Sequence, residues 1–489
     1  MTTQTGDRLA PEDAAFLYFE REEAPLHMGS VSVLDGEIGL EEYIDFIASR
    51  LPLIPRYRQR LVVPPFNAGH PTWEYDPDFD IRNHIREVHL KRGTMAELER
   101  LAGSIFSKVM DRGRPLWDLT LVQGLSEGRS AFISRVHHCL VDGVSGVGIL
   151  NIMLSPTRET PVAPEAQPFQ PPELPDASRS LLDALTSAVS DSIQRLLSAQ
   201  MTALNVAAAL LDQRALDGWS QLIRFAPELL APVERFPFNI PVKGPQRVAW
   251  TQFPIAEVCA IRRGLGGTLN DVVLAALARA MARYVELHGQ STKNRVLRLM
   301  VPVNLRRGET EPGYGNRVSA LPVNIPLDIE SPAELIEAIR QRTDAMKSAR
   351  VADLIELGTA WMGVTPAPLQ AITQAMAAGL PIAPFNMVCT NVPGPQYPLY
   401  LLGREMVTFH PYVPIGNELG IGCAIQSYNG QLYFGLTADR AAAGDVDRLN
   451  EFLEQALAEL SRAATEARVE TAPEPKTTNA VEVPTLPER

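Results

Sequence analysis

The chain has 489 residues and a formal net charge of −12, with a pI near 5.3 and a mean hydropathy of −0.04. Single cores stop growing near about 250–300 residues, so this length predicts two domains or two fused halves. A composition 45% hydrophobic and 21% charged excludes wholesale disorder, a coiled coil and collagen, and the net acidity argues against a duplex nucleic-acid partner.

The four cysteines, Cys139, Cys259, Cys389 and Cys423, form no CxxC pair. That spacing predicts neither a disulfide framework nor a zinc site, and fits a reducing cytosol. Residues 1–20 lack a basic segment followed by an apolar one, so no secretion signal is read. The least polar stretch, 196–211, is interrupted by Ser198, Gln200, Thr202 and Asn205. It falls short of the ~18–20 apolar residues of a bilayer span. The expectation is a soluble, cytoplasmic chain that at most rests on a membrane.

In chain order, Leu40–Leu51 and Met95–Met110 carry helical periodicity, while Trp117–Val122 and Ala131–Leu140 read as strands. The small and apolar VDGVSGVGILNIML that follows reads most simply as a buried helix. Seven prolines then fall between Ser155 and Pro175. Proline fixes φ and donates no hydrogen bond, so this stretch is neither helix nor central strand. We read it as a surface crossover over 155–178, separating a first domain, 1–154, from a second, 179–464.

Beyond the crossover, Leu182, Leu185, Val189, Ile193, Leu196, Leu204, Ala207 and Leu211 follow three- and four-residue spacings. They predict a long amphipathic helix or a helix pair. Strand-like Val248–Phe253, Val296–Val303, Met387–Asn391, Gly420–Ser427 and Gln431–Thr437 alternate with helix-like Leu269–Leu287, Pro332–Ala349 and Asp445–Ala464. SYNGQLYFG sets an Asn-Gly pair between two strand-like runs, a strong hairpin signal. The segment 465–489 lacks aromatics and periodicity and reads as a disordered tail. Both halves are α/β.

The sharpest local feature is HHCLVDGVSG, where a strand ends and a helix begins. Successive strand residues face opposite sides, so His137 and His138 cannot both enter one pocket. One histidine is the chemical candidate and the other packs or positions. No third ligand of suitable spacing supports zinc, and adjacent His138 and Cys139 point to opposite faces, which disfavours a Cys-His nucleophile. Taken alone, the pair is also compatible with a satisfied core network.

The H-H-x-x-x-D-G motif is a signature of the CoA-dependent acyltransferase superfamily. From about Ala10 to Arg440 the chain resembles the bacterial wax ester synthase/acyl-CoA:diacylglycerol acyltransferases. The resemblance rests on LAPEDAAFLYFE…APLHMGS, RPLWDLTLV at Arg114–Val122 and HHCLVDGVSG. It continues through TLNDVVLA with Asn270-Asp271, VPVNLR at Val301–Arg306, Gly315-Asn316, TNVPGP at Thr390–Pro395 and SYNGQLYFGLTADR. The DFGWG block of the plant acyltransferases is absent, as is the G-x-S-x-G of a nucleophile elbow.

The resemblance implies two α/β domains of the chloramphenicol acetyltransferase-like type, with an active-site channel at their interface. It implies transfer from long-chain acyl-CoA, a substrate and not a cofactor, to diacylglycerol, a fatty alcohol or both, without a metal. His138 would be the general base, a task suited to an imidazole of pKa ~6.5, and His137 would position it. Asp142 would be structural, pairing with an arginine, and Gly143 would let the turn run tight. Asn270 is the candidate oxyanion donor or positioning residue. TLND also reads as a helix start, with Thr268 as cap and Asp271 in the first turn.

Arg306 would reach CoA phosphates or buttress the domain contact, and Asn391, Pro393 and Gly394 would shape the channel wall. Pro366–Pro381 and the 181–211 segment are apolar helices that pack as core, line an acyl tunnel or lie at a lipid interface. Without a basic face, their attachment to the inner membrane face or lipid inclusions would be weak. Two other readings stay open: a condensation-type acyltransferase using carrier-protein-bound acyl groups, and a non-catalytic lipid-droplet-binding protein.

Overall fold

The structure is a computed structural model that describes residues 8–64, 69–140, 148–159, 200–201, 217, 220, 222–304, 318–349, 351, 367–378 and 384–470. The first half contributes β1 (His27–Leu34), β2 (Gln59–Val62), β3 (Thr72–Tyr75), β4 (Ile85–His89), β5 (Trp117–Leu125) and β6 (Arg129–His137). The second contributes β7 (Gln246–Pro254), β8 (Val296–Asn304), β9 (Val318–Pro326), β10 (Met387–Val392) and β11 (Tyr400–Leu401). β12 (Arg404–Tyr412), β13 (Ile421–Tyr428) and β14 (Gln431–Asp439) follow. Two mixed six-stranded sheets result, ordered β11-β12-β1-β6-β5-β4 and β7-β14-β13-β10-β8-β9, with β2-β3 as a separate ribbon.

β12 comes from the second half of the chain yet completes the first sheet. It pairs antiparallel with β1, from Gly29 opposite Tyr412 to Leu34 opposite Met406. The domain division read from sequence is corrected here, because residues 400–412 belong to the first sheet. The physical reason is the edge of β1, whose backbone groups need partners when buried. Ser155 exchanges backbone hydrogen bonds with Tyr400 of β11 at 2.9 and 2.8 Å, tying the start of the crossover to the outer strand of the first sheet. Residues 160–178 lie outside the described residues.

β12 also presses on the second sheet. The Pro411 carbonyl approaches Gly435 of β14 so closely that a Cβ there would sit 1.8 Å from the oxygen. Only glycine fits. Beside this contact, His410 stacks on Trp250 of β7 with ring centres 4.4 Å apart and meets Tyr433 of β14 edge-on at 5.7 Å. Tyr412 Oη donates to Gln246 Oε1 at 2.9 Å. The Met95–Phe106 helix packs against both β1 and β7, and its Leu98, Ala102 and Ile105 join Val31, Ile133 and Val248 in one apolar cluster.

The second sheet is covered by helices Ile255–Leu265, Leu269–Leu287, Pro332–Ser348 and Val446–Glu470, which share its largest core cluster. Leu269–Leu287 has the bounds read from sequence, and every residue from Asp271 to Ala278 is buried. Asn429 and Gly430 take φ of 45° and 76°, the positive values a two-residue hairpin turn requires. The last helix continues to Glu470, so 465–470 leave the expected tail. Good helix formers extend it, and Thr465 Oγ1 donates back to Ser461 O at 2.9 Å. Residues 471–489, most of 181–211 and residues 141–147 lie outside the described residues.

Neither ring nitrogen of His410 has a hydrogen-bond partner among the described residues, and burial pushes its pKa down to about 3. An unfolded histidine titrates near ~6.5, so the unfolded chain binds this proton first. The stability this ring contributes is complete above ~6.5 and is lost as pH falls toward about 3. His410→Phe keeps the ring stack and removes the titration. Urea unfolding midpoints of this variant should fall less steeply than wild type between pH 6.5 and 4, and parallel slopes would discount the histidine's role.

Candidate active site

β6 ends at His137, and His138–Leu140 make one tight 3-10 turn. The His138 amide donates to Leu26 O at 3.0 Å, anchoring the turn to the chain entering β1. His137 is fully buried. Its Nδ1 accepts the Cys139 amide N–H at 3.2 Å and lies 3.0 Å from Cys139 Sγ. With an N–H already donating to Nδ1, the ring's proton resides on Nε2. Nε2 lies 3.3 Å from Glu20 Oε1, an ion-pair distance without full hydrogen-bond alignment.

Glu20 is a buried carboxylate, its side chain only 2% exposed. Oε1 accepts the Leu26 N–H at 2.9 Å and Oε2 accepts Arg112 Nη2 at 3.0 Å. Burial alone would raise its pKa. His137, the Leu26 amide and Arg112 together outweigh that and hold it at about 2.

His138 belongs to the opposite side of the turn. Its ring lies face to face on Phe16 of the Pro11–Phe19 helix, centres 3.7 Å apart and planes within 12°. Its Nδ1 is buried without a hydrogen-bond partner among the described residues. Burial, then the neighbouring His137, lower its pKa to about 4 against the pull of its own backbone. The ring is therefore neutral at physiological pH. Cys139 is the reverse case. Burial and then the negative charges of Asp13 and Glu20 push its thiol well above the ordinary range, so it is no thiolate nucleophile.

The strand leading to this turn is braced by a buried charge pair. Arg135 Nε donates to Asp118 Oδ1 at 3.0 Å and Nη2 to Asp118 Oδ2. Its Nη1 donates to Ile105 O and Lys108 O, both at 2.7 Å. Such a pair is tolerated because its polar groups are answered. Asp118 follows Trp117, whose indole N–H donates to Tyr57 O at 2.7 Å and whose ring stacks on His84 at 4.5 Å. The Pro115-Leu116-Trp117 run is thus a brace beside β6.

The second group of sequence candidates meets elsewhere. Thr268 caps the Leu269–Leu287 helix reciprocally with Asp271, and Asp271 also accepts from Thr343 Oγ1 at 3.2 Å. Asp271 is therefore a capping residue. Asn270, beside it, accepts a hydrogen bond at Oδ1 from Asn391 Nδ2 at 3.2 Å. That contact occupies the oxygen and leaves the amide N–H groups as the donating end. Gly394 lies so near β13 that a Cβ would sit 2.2 Å from Ser427 O, and its amide donates to Ser427 Oγ at 3.0 Å. Pro393 is exposed at this bend.

The structure brings His137 and His138 into one turn and Asn270 and Asn391 into one contact. Among the described residues no hydrogen bond or ring contact links the two groups. Asp142, Gly143 and Arg306 lie outside the described residues. No group of three His, Cys, Asp or Glu among the described residues is placed to hold a metal ion. Sequence reasoning did not reach Phe16, Glu20, Asp118 or Arg135. An aspartate and an arginine inside strand-like runs were a usable signal for the last two, whereas Glu20 merely follows the end of a short helix.

Two family models match the chain: the wax ester synthase/diacylglycerol acyltransferase catalytic domain over residues 9–273 and the WS/DGAT C-terminal domain over residues 314–461. A Mycobacterium tuberculosis protein named as a probable diacylglycerol O-acyltransferase, tgs2, is 30% identical over 474 residues, covering 94% of this chain and 99% of that one. A second from that species, named as a probable diacylglycerol O-acyltransferase, tgs1, is 29% identical over 465 residues, covering 93% and 96%. Among solved structures, the wax ester synthase/diacylglycerol acyltransferase from Marinobacter aquaeolei VT8 aligns with a TM-score of 0.63 at 25% identity, covering 94% of this chain and all (100%) of that one. The first condensation domain of the calcium-dependent antibiotic synthetase shares the fold at a TM-score of 0.58 and 15% identity, covering 95% and 98%. With both family models matched in order across its two halves, this chain belongs to the wax ester synthase/diacylglycerol acyltransferase family.

Proposed function

We propose that the chain is a long-chain acyl-CoA:alcohol O-acyltransferase, making triacylglycerol from diacylglycerol, wax esters from fatty alcohols, or both. The observation that carries the mechanism is the His138 ring stacked on Phe16 at the end of β6. With Nδ1 buried, Nε2 is the nitrogen left for substrate. It takes the proton of the acceptor hydroxyl as the oxygen attacks the thioester carbonyl. The C–S bond of the tetrahedral intermediate then breaks, and the imidazolium returns the proton to the departing CoA thiolate. No acyl-enzyme forms.

A base with a pKa of about 4 is fully available at neutral pH, but it holds a proton weakly. The positive charge must be stabilised as it forms. The Phe16 face supplies part of that, since a cation over an aromatic ring gains about 0.5–2 kcal/mol. We assign the oxyanion to the Asn270 amide, held by Asn391, because a preorganised donor costs no reorganisation during the reaction. Asn391 and Gly394 then shape the channel wall, which in this reading runs between the two halves.

The acceptors are lipids, and the Ala367–Ala378 helix supports peripheral contact with a lipid surface, at the cytoplasmic membrane face or on lipid inclusions. Its polarity is inverted. Gln370 and Gln374 are buried, and Gln370 Nε2 donates to Pro11 O at 3.1 Å on the helix that carries Phe16. Leu369, Ile372 and Met376 stand outward at 51%, 58% and 68% exposure. The helix carries no charge, which suits neutral lipid and weak attachment.

His138→Ala should lower transfer by about 10²–10⁴-fold with an unchanged circular dichroism spectrum. The assay is labelled palmitoyl-CoA with competing hexadecanol and dioleoylglycerol, products resolved by chromatography, and full activity in the variant would sink the mechanism. Because transfer needs the neutral ring, kcat/KM should hold down to weakly acidic pH and fall only near about 4; a limb near ~6.5 would mean that another group is the base. Replacing Leu369, Ile372 and Met376 by serine should reduce flotation with triolein droplets while sparing transfer to a dispersed short-chain alcohol. Equal flotation would remove this helix from the lipid contact.

A further inference from the structure

The Glu20 carboxylate touches no group that the proposed transfer makes or breaks, yet two paths lead from it to the two sides of His138. On one path Oε1 accepts the Leu26 N–H at 2.9 Å, and the carbonyl of the same Leu26 accepts the His138 N–H at 3.0 Å. On the other, His137 Nε2 lies 3.3 Å from Oε1, while its Nδ1 accepts the N–H of Cys139, the residue after His138, at 3.2 Å. The backbone is thus fixed immediately before and after the base. Glu20 also terminates the helix that carries Phe16, its own amide donating to Phe16 O at 3.1 Å.

We infer that Glu20 is the positioning residue of the active site: its ionised carboxylate fixes His137 as the Nε2–H tautomer and so holds the turn that presents His138 against Phe16. The chemistry follows from counting donors and acceptors. Oε1 accepts the Leu26 N–H and lies 3.3 Å from His137 Nε2, and Oε2 serves Arg112 Nη2 at 3.0 Å. Every group facing the carboxylate is a donor, so only a deprotonated acid satisfies all three. Arg112 also donates to Leu17 O at 2.8 Å, which keeps the carboxylate in register with its helix.

This arrangement also separates the two histidines. His137 accepts the Cys139 N–H at Nδ1 and turns Nε2 toward the Glu20 carboxylate at 3.3 Å, so neither nitrogen is left to take a proton from a hydroxyl. His138 has no such pairing and keeps that task. A neutral amide in place of Glu20 keeps the shape but turns one acceptor into a donor, facing either Arg112 or His137. The tautomer preference of His137 then rests on the Cys139 N–H alone, which weakens it, and the turn is held less firmly. Small displacements of a base are costly, on the order of 10²-fold for about 1 Å.

This inference rests on His138 being the base, and its decisive measurement does not need turnover. In protein labelled with nitrogen-15 histidine, the ring signals of His137, assigned by their loss in His137→Gln, should show a protonated Nε2 and an unprotonated Nδ1 at pH 7. In Glu20→Gln that pattern should give way to a mixture of tautomers, kcat should fall about 10- to 100-fold, and KM for acyl-CoA should stay within about twofold, with Glu20→Asp partly restoring kcat. A wild-type His137 protonated on Nδ1 would overturn the assignment whether or not any variant folds. So would a folded Glu20→Gln protein with wild-type kcat, or one in which KM rises while kcat is kept. A wild-type chain that transfers no acyl group would instead count against the proposed function and leave the tautomer result standing.

Discussion

The structure depends on one crossing. β12 is hydrogen-bonded into the first sheet alongside β1, while its Pro411 carbonyl lies against Gly435 in the second. A side chain at that glycine would drive the sheets apart, because packed interiors leave no room for an added methyl. The aromatic groups around the contact, His410, Trp250 and Tyr433, supply the buried area that a bare backbone contact lacks. The two halves therefore share a strand as well as a boundary, so the geometry between them is set by backbone pairing.

Upstream of this crossing, the first sheet delivers the site. β1 lies between β12 and β6, and its entering residue Leu26 receives the His138 amide. Whatever fixes β1 therefore fixes the start of the histidine turn. The buried Arg135–Asp118 pair does the same from the far side of β6. Charges this far from water stabilise little in themselves, but they specify register. A slip of one residue would exchange the faces of His137 and His138.

The two neighbouring histidines sit in different environments. His137 lies between Glu20 and Cys139, while His138 is stacked on Phe16 and without a partner at Nδ1 among the described residues. Two identical side chains in sequence neighbourhood thus acquire different chemistry from a single tight turn. The pattern matches the general behaviour of acid–base sites, in which neighbouring titratable groups are driven apart by their surroundings. The Ala367–Ala378 helix extends this logic to the surface, since glutamines toward the Phe16 helix and aliphatics outward are the reverse of an ordinary surface helix.

Much of this was legible in the chain alone. Local signals carried the Leu269–Leu287 helix, the Thr268 cap, the Asn429-Gly430 hairpin and the identity of the histidine turn, because each depends on residues a few positions apart. The ordered motifs from LAPEDAAFLYFE to SYNGQLYFGLTADR carried the family. β1 and β12 escaped, because HMGSVSVL alternates small polar and branched residues while both its faces are buried, and REMVTFHPY contains a proline that local rules exclude from a central strand. The sequence by itself determined which residues could do chemistry and which short elements they sit on. Only the tertiary structure decided that residues 400–412 complete the first sheet and that Glu20 reaches His137. Both are contacts between distant segments, set by unsatisfied backbone edges and buried charge, and neither leaves a periodic trace in the chain.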